Sequence, residues 1–283
     1  MIRRLLATVL LACAAGCATQ DRQDAKFTEG AGQGGRLWAE WVQLVVEGLP
    51  NHPWAGTYYF GDGLGENVIL VLAPGAGFFY QRRGCLGLYD WNYGTLAVTN
   101  GTIRLSFTYR NERGALEGLA PELTPVQWGA RHYLIPSDGI REFCNHVNQG
   151  WEPRGDMHGL DLLRVGDEKR PVSGVPTVPE EYRVYLLSAP VAAEITRVDR
   201  VDTQRNADNT QSRVTTVTLN AGRDKGLRVG IELVVVKPES ICEDVRITRV
   251  DDTTSEGVVE QTNNDDPEPK KGWRLSTRYR WVR

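Results

Sequence analysis

The sequence predicts a mainly β protein in two parts: an antiparallel barrel or sandwich with one or two short helices, followed by a small C-terminal β-barrel-like domain. Three observations carry this. From Trp54 to Arg110, runs of β-branched and aromatic residues alternate with Gly, Asn, Asp and Pro, the texture of successive hairpins. The stretch "DEKRPVSGVPTVP", Asp167 to Pro179, has three prolines and few apolar anchors, which marks a boundary. Beyond it, short alternating runs resume around the turn-rich segment "NAGRDKGLRVG".

Ahead of the β pattern, "RLWAEWVQLVVEG" (Arg36 to Gly48) repeats apolar residues at helical spacing and stops at Gly48 and Pro50. Leu37, Trp38, Trp41, Val42, Val45 and Val46 are expected on one side, with both tryptophans as core anchors. Asn100-Gly101, between "TLAVT" and "TIRLSF", is a strong hairpin signal. Several such hairpins in succession must close on themselves or pack as a sandwich to protect their edges. The glycine cluster Gly61 to Gly65 precedes a strand instead of opening a helix, so it has no helix N-terminus for a phosphate and reads as a loop. Asp90 to Gly94 is a fragment of a calcium-loop pattern lacking its later ligands, and is expected to be a turn with aromatic flanks.

In "SDGIREFCNHVNQG" (Ser137 to Gly150), Ile140, Phe143, Cys144 and Val147 repeat at i, i+3, i+4 and i+7, with Ser137 or Asp138 as cap and Gly150 as stop. This predicts a helix lying on the first β-domain. Cys144 falls on its buried face and His146 toward the polar side, so the two diverge and form no nucleophile and base. Past the boundary, "VAAEITRVDRVDTQ", "SRVTTVTLNAG", Ile231 to Val236, Val245 to Val250 and Gly257 to Glu260 read as the strands of a small barrel. The expected organisation is a signal segment at 1–16, a flexible tether at 17–35, a β-rich first domain at 36–170, a linker at 171–180 and a β-module at 181–283.

The N-terminus points to export. Arg3 and Arg4 precede an apolar run from Leu5 to Ala15, too short to span a bilayer and followed by small residues. Removing residues 1–16 takes away those two arginines and no acid, moving the formal charge from −3 to −5. With no basic patch either, nucleic acid is not an expected partner. The four histidines show no metal-ligand spacing and no G-x-S-x-G elbow occurs, so no catalytic, metal or cofactor-binding residues are expected. In an oxidising compartment, Cys85 and Cys144 are the natural disulfide pair within the first domain, leaving Cys242 free, with two separately buried thiols as the alternative.

Three resemblances add to this reading. Ala14-Ala15-Gly16-Cys17 resembles the lipobox of bacterial lipoproteins, which implies diacylglycerol on the Cys17 thiol and cleavage before it. Ala14 departs from the larger aliphatic residue usual there, and a plain secretory signal is the alternative. Ala18 is similar to the outer-membrane sorting type, implying a protein anchored by lipid on the periplasmic side of the outer membrane. Asn220, Gly222, Gly226, Gly230, Ile231, Leu233 and Val235 resemble the C-terminal β-module of the flagellar assembly protein T family and of rod-shape-determining periplasmic proteins. That likeness spans about 45 residues and implies a topology and contacts with envelope proteins, not chemistry. Trp54, Gly56 and Tyr58 are similar to the opening of lipocalin-type barrels.

The function expected is that of a non-enzymatic envelope lipoprotein acting as an interaction or scaffold protein, docking a protein or cell-wall partner through its C-terminal module. The alternative is a first domain that encloses a small apolar ligand. An empty interior would favour the ligand; an interior filled by aromatics would favour the scaffold. Cys17→Ser is expected to leave the precursor uncut or release the protein from membranes, whereas Cys13→Ser changes little. The intact mass of membrane-extracted protein checks this, and an unmodified Cys17 contradicts it.

Overall fold

The structure is a computed structural model that describes residues 35–61, 63, 65–111, 118–151, 161–205, 211–241, 243–262 and 266–279. The signal segment, Cys17, the tether as far as residue 34 and Cys242 lie outside the described residues, and Gly35, expected to end the tether, begins a helix. The chain divides into two compact units: Met1–Asp138 with Pro153–Thr177, and Gly139–Glu152 with Val178–Arg283.

The first unit is a closed antiparallel barrel of eight strands in chain order: β1 (Gly56–Gly61), β2 (Asn67–Ala73), β3 (Gly77–Gly84), β4 (Gly87–Thr99), β5 (Thr102–Phe107), β6 (Glu122–Trp128), β7 (Arg131–Pro136) and β8 (Leu162–Arg164). Alternation sets which face is inside. Tyr58, Leu70, Tyr80 and Asn92 share one row of paired positions, and Leu72, Phe78 and Gly94 the next. Tyr58, Leu70, Leu72, Phe78, Tyr80, Ile103, Leu123 and Leu134 are all fully buried and fill the middle of the barrel. The Asn100-Gly101 hairpin forms as expected, with φ of 52° and 82° at its two turn residues. Asp90 to Gly94 is no turn: it runs through the centre of the 13-residue β4, paired with β3. Alternation explains the difference, because Asp90, Asn92 and Gly94 are the inward positions of a strand whose outward positions are Trp91 and Tyr93.

The ring closes between β1 and the short β8, where Tyr58 pairs with Arg164 and Tyr59 with Leu163. Arg164 reinforces the seam: its Nη2 donates to the His52 carbonyl at 2.9 Å and to the Tyr58 hydroxyl at 3.2 Å. That hydroxyl in turn donates to the Trp54 carbonyl at 3.0 Å.

Helix α1 (residues 35–47) lies against the outside of this barrel. Val42 is buried with Val71, Ala73 and Ala76, and Trp38, Val45 and Val46 pack around them. Trp38 also meets Tyr93 at 5.5 Å, part of a cluster with Phe79, Trp91 and Tyr109. Leu37 and Trp41, expected on the same packed side, are instead exposed.

The residues 167–177 are held to the first unit by polar contacts that apolar periodicity does not register. Thr177 N–H donates to the Gln127 carbonyl, Trp128 Nε1 to the Gly174 carbonyl and Arg131 Nε to the Arg170 carbonyl.

The second unit is a closed six-stranded barrel, in ring order β10 (Gln211–Leu219), β13 (Ser255–Gln261), β12 (Asp244–Val250), β11 (Glu232–Lys237), β14 (Arg274–Ser276) and β9 (Ala192–Arg205). Its core gathers Ile195, Val217, Leu219, Leu227, Ile231, Leu233, Val245, Ile247 and Val259. Gly226 and Gly230 have φ of +86° and +90°, the left-handed region that favours glycine, as the turn reading of this segment requires.

Helix α2 (Ile140–Gln149) forms where its periodicity predicts, ending at Gly150 in the left-handed conformation. It begins at Gly139 without a side-chain cap and, contrary to the expectation, belongs to the second unit. Asn145 locks it there: its Nδ2 donates to the Gly230 carbonyl at 3.0 Å, and its Oδ1 accepts the Glu232 N–H at 3.2 Å. Asn148 does the same against the Tyr185 carbonyl and the Leu187 N–H, and Trp151 stacks on Tyr279 at 4.6 Å. Periodicity identifies a buried face but not the surface that buries it. The available signal was the pair of amides, Asn145 and Gln149, on that face.

The second unit is therefore discontinuous in sequence. Ile140 and Phe143 each contribute about 1.5–3 kcal/mol by burial. Residues 178–283 alone should melt at least 10 °C below the second unit of the full chain, at roughly 4–8 °C per kcal/mol for a domain of this size. Adding a peptide of residues 139–152 should raise that melting point saturably in circular dichroism. Equal stability without the peptide would make α2 a peripheral helix.

Candidate ligand-binding site

The first barrel is filled at its middle and open at one end. Phe60 is near the end of β1, Arg82 near the end of β3 and Pro136 at the end of β7, whereas Val68, Leu123 and Leu162 sit at the starts of β2, β6 and β8. All six therefore gather where odd-numbered strands finish and even-numbered ones begin. With Gly118 to Glu122, Ser137 and Asp138 they line a pocket of about 470 Å³. That size falls within the range of small-molecule sites.

Its apolar wall continues the barrel core: Phe60, Val68, Leu119, Leu123 and Leu162. Its polar wall centres on Arg82, only 8% exposed, with Nε 3.3 Å from Glu66 Oε1. The cross-strand neighbour of Arg82 is Asp90, also buried, whose Oδ1 accepts the Trp91 N–H at 2.8 Å. One guanidinium thus faces two carboxylates, so this wall has no surplus positive charge. Arg82 Nε is thus already engaged by Glu66, and the buried Tyr80 hydroxyl lies under the influence of the same guanidinium. Burial pushes the Tyr80 hydroxyl up to about 12, with Arg82 pulling it down and Asp90 and Glu66 pushing it further up. Tyr80 is therefore a neutral phenol across the physiological range. At the rim, Glu122 is engaged by Arg104 at 2.8 Å and Ser137 Oγ meets Thr124 Oγ1 at 3.0 Å.

The sequence reading assigns none of these residues to a binding site, with Ser137 and Asp138 expected only as a helix cap, although a signal existed. In "GFFYQRRG", Phe78, Tyr80 and Arg82 share one phase of the alternation, which places a charge on the inward face.

Elsewhere, His132 Nδ1 lies 2.8 Å from Asp167 Oδ2, which also accepts the His132 backbone N–H, while Asp167 Oδ1 pairs with Arg170 at 3.1 Å. This buried carboxylate fastens the turn after β8 to β7. Among the described residues, no group of three or more His, Cys, Asp or Glu side chains could hold a metal ion. No described helix is long and apolar enough to cross a membrane.

Cys85 and Cys144 are not joined. Cys85 is an exposed free thiol in the turn between β3 and β4, with Sγ 4.0 Å from the Tyr89 hydroxyl. Cys144 is a buried free thiol on α2, directed at the Tyr182 carbonyl at 3.9 Å. They belong to different units, since the helix that carries Cys144 is packed by the second barrel. His146 lies near Glu142 and Trp151.

No family model, curated protein or solved structure matches this chain. The site is consequently read from its geometry alone.

Burial pushes the Cys144 thiol up to about 12, so it is both inaccessible and protonated at neutral pH. In the native protein an alkylating reagent should label the Cys85 peptide at least 100-fold faster than the Cys144 peptide, the difference vanishing in denaturant. A Cys85-to-Cys144 disulfide peptide in unreduced protein would refute this arrangement.

Proposed function

We propose that this chain is a non-enzymatic, lipid-anchored envelope protein whose first barrel binds a small, mainly apolar and uncharged molecule in the pocket beside Arg82. The observation that carries the reading is the 470 Å³ pocket continuous with the barrel's apolar core and closed on one side by a charge-matched arginine. The middle is filled by Tyr58, Phe78 and Tyr80, which favours the scaffold over a ligand enclosed at the barrel's centre, so the proposed ligand is confined to the open end. An anionic head would meet Glu122 and Asp138 on the lining as well as Arg82, whose charge Glu66 already offsets, whereas an uncharged molecule avoids that repulsion. The anchor supporting an envelope location is Cys17, in its lipobox-like setting.

The scaffold reading is supported by the second barrel. Among the described residues, β9 pairs with β14 only over Ala192 to Glu194 and with β10 alone beyond Ile195. The free edge could accept a strand from an envelope partner, with the Arg197–Asp199 and Arg200–Asp202 pairs restricting which strand fits.

Titration with a neutral apolar fluorophore such as N-phenylnaphthylamine tests the pocket. Ala120→Trp, at a half-buried position on the lining, should weaken binding at least tenfold while the melting point holds within a few degrees. A carboxylated analogue of the fluorophore should bind at least tenfold more weakly than the neutral one. Unchanged binding by Ala120→Trp would place the fluorophore elsewhere and return the scaffold reading to the front.

A further inference from the structure

Helix α1 is apolar over more of its circumference than the barrel covers. At about 100° per residue, its apolar side chains span roughly 200°, about twice the stripe that a helix needs to face one core. Val45, Trp38 and Val42 occupy the half turned to the barrel. Leu44, Leu37 and Trp41 continue the same arc and are left 62%, 59% and 52% exposed. They repeat at i, i+4 and i+7, so they form one continuous ridge with tryptophan between two leucines.

We propose that this ridge seats in the headgroup region of the bilayer that holds the Cys17 lipid, so that α1 is a second, non-covalent membrane contact. The proposal rests on the lipoprotein reading of Cys17. Seventeen residues separate Cys17 from Gly35, and a chain of that length reaches at most about 65 Å. The ridge is therefore confined near the membrane at an effective concentration on the order of millimolar, so that even a weak apolar contact becomes populated. Tryptophan flanked by leucine suits the interface, where an indole keeps its apolar body in the acyl boundary and its N–H in the headgroups. The polar arc bears Arg36 against Glu40 and Glu47, so anionic lipid offers no electrostatic attraction and the contact is driven by apolar burial.

The test separates the ridge from the anchor. The chain from Ala18, carrying an N-terminal hexahistidine, is held on phosphatidylcholine vesicles containing a nickel-chelating lipid, which supplies a tether whatever the natural state of Cys17. Phosphatidylcholine brominated near the headgroup should quench a component of tryptophan emission that Trp41→Phe removes. Leu37→Ser with Leu44→Ser should reduce that component at least fivefold with Trp41 still present, and high salt or added phosphatidylglycerol should not strengthen it. Absence of Trp41-dependent quenching overturns the proposal. So does a dimer, seen by sedimentation without lipid, that Leu37→Ser with Leu44→Ser dissociates, because the ridge would then be covered by a second copy. The intact mass of membrane-extracted protein judges the anchor independently: an unmodified Cys17 with quenching intact removes the lipoprotein reading, whereas a lipidated Cys17 without quenching removes only the ridge.

Discussion

The first unit depends on closing a ring with very little strand. β8 contributes only Leu162 to Arg164, yet without it both β1 and β7 would present open edges. Two ladder positions on each side are few, and Arg164 compensates by bonding across the seam to the His52 carbonyl and the Tyr58 hydroxyl. The same contact immobilises the entry to β1, because Tyr58 is bonded back to Trp54. Inward alternation around the whole ring follows from this closure, since each strand's register is defined against its neighbour.

Closure also decides where space remains. The two rows through Tyr58 and Phe78 meet bulky side chains from several strands, and those rows are full. At the end beyond Tyr80 the inward position is Arg82, matched against Glu66 and Asp90, and the facing positions are Phe60, Val68, Leu123 and Leu162. A guanidinium held among carboxylates cannot pack the interior as a leucine would, so polar and apolar walls part around a pocket there.

Helices in this protein show how a packing face can be legible while its destination is not. α1 has an apolar arc wide enough for two surfaces, one of which is the barrel. α2 lies in the sequence between two strands of the first barrel but is claimed by the second, through backbone groups of Gly230 and Glu232 that Asn145 matches in both donor and acceptor. An amide that satisfies two backbone groups at once orients a helix more specifically than apolar contact can.

Local chemistry in the sequence determined the strand texture, the Asn100-Gly101 hairpin, the existence of both helices and the need for glycine at Gly226 and Gly230, because each depends on residues within a few positions of one another. It also determined that the first unit would need either to close or to pack as a sandwich, since successive hairpins leave edges; the tertiary structure decided for closure. What only the tertiary structure decided was pairing between distant residues: Arg82 with Glu66 and Asp90, Asn145 with Gly230, Cys85 and Cys144 each a free thiol, and Trp41 left outward. Period and spacing report which face of an element is apolar. They do not report what lies opposite, because that is set by barrel registers and by loops whose ends are tens of residues apart.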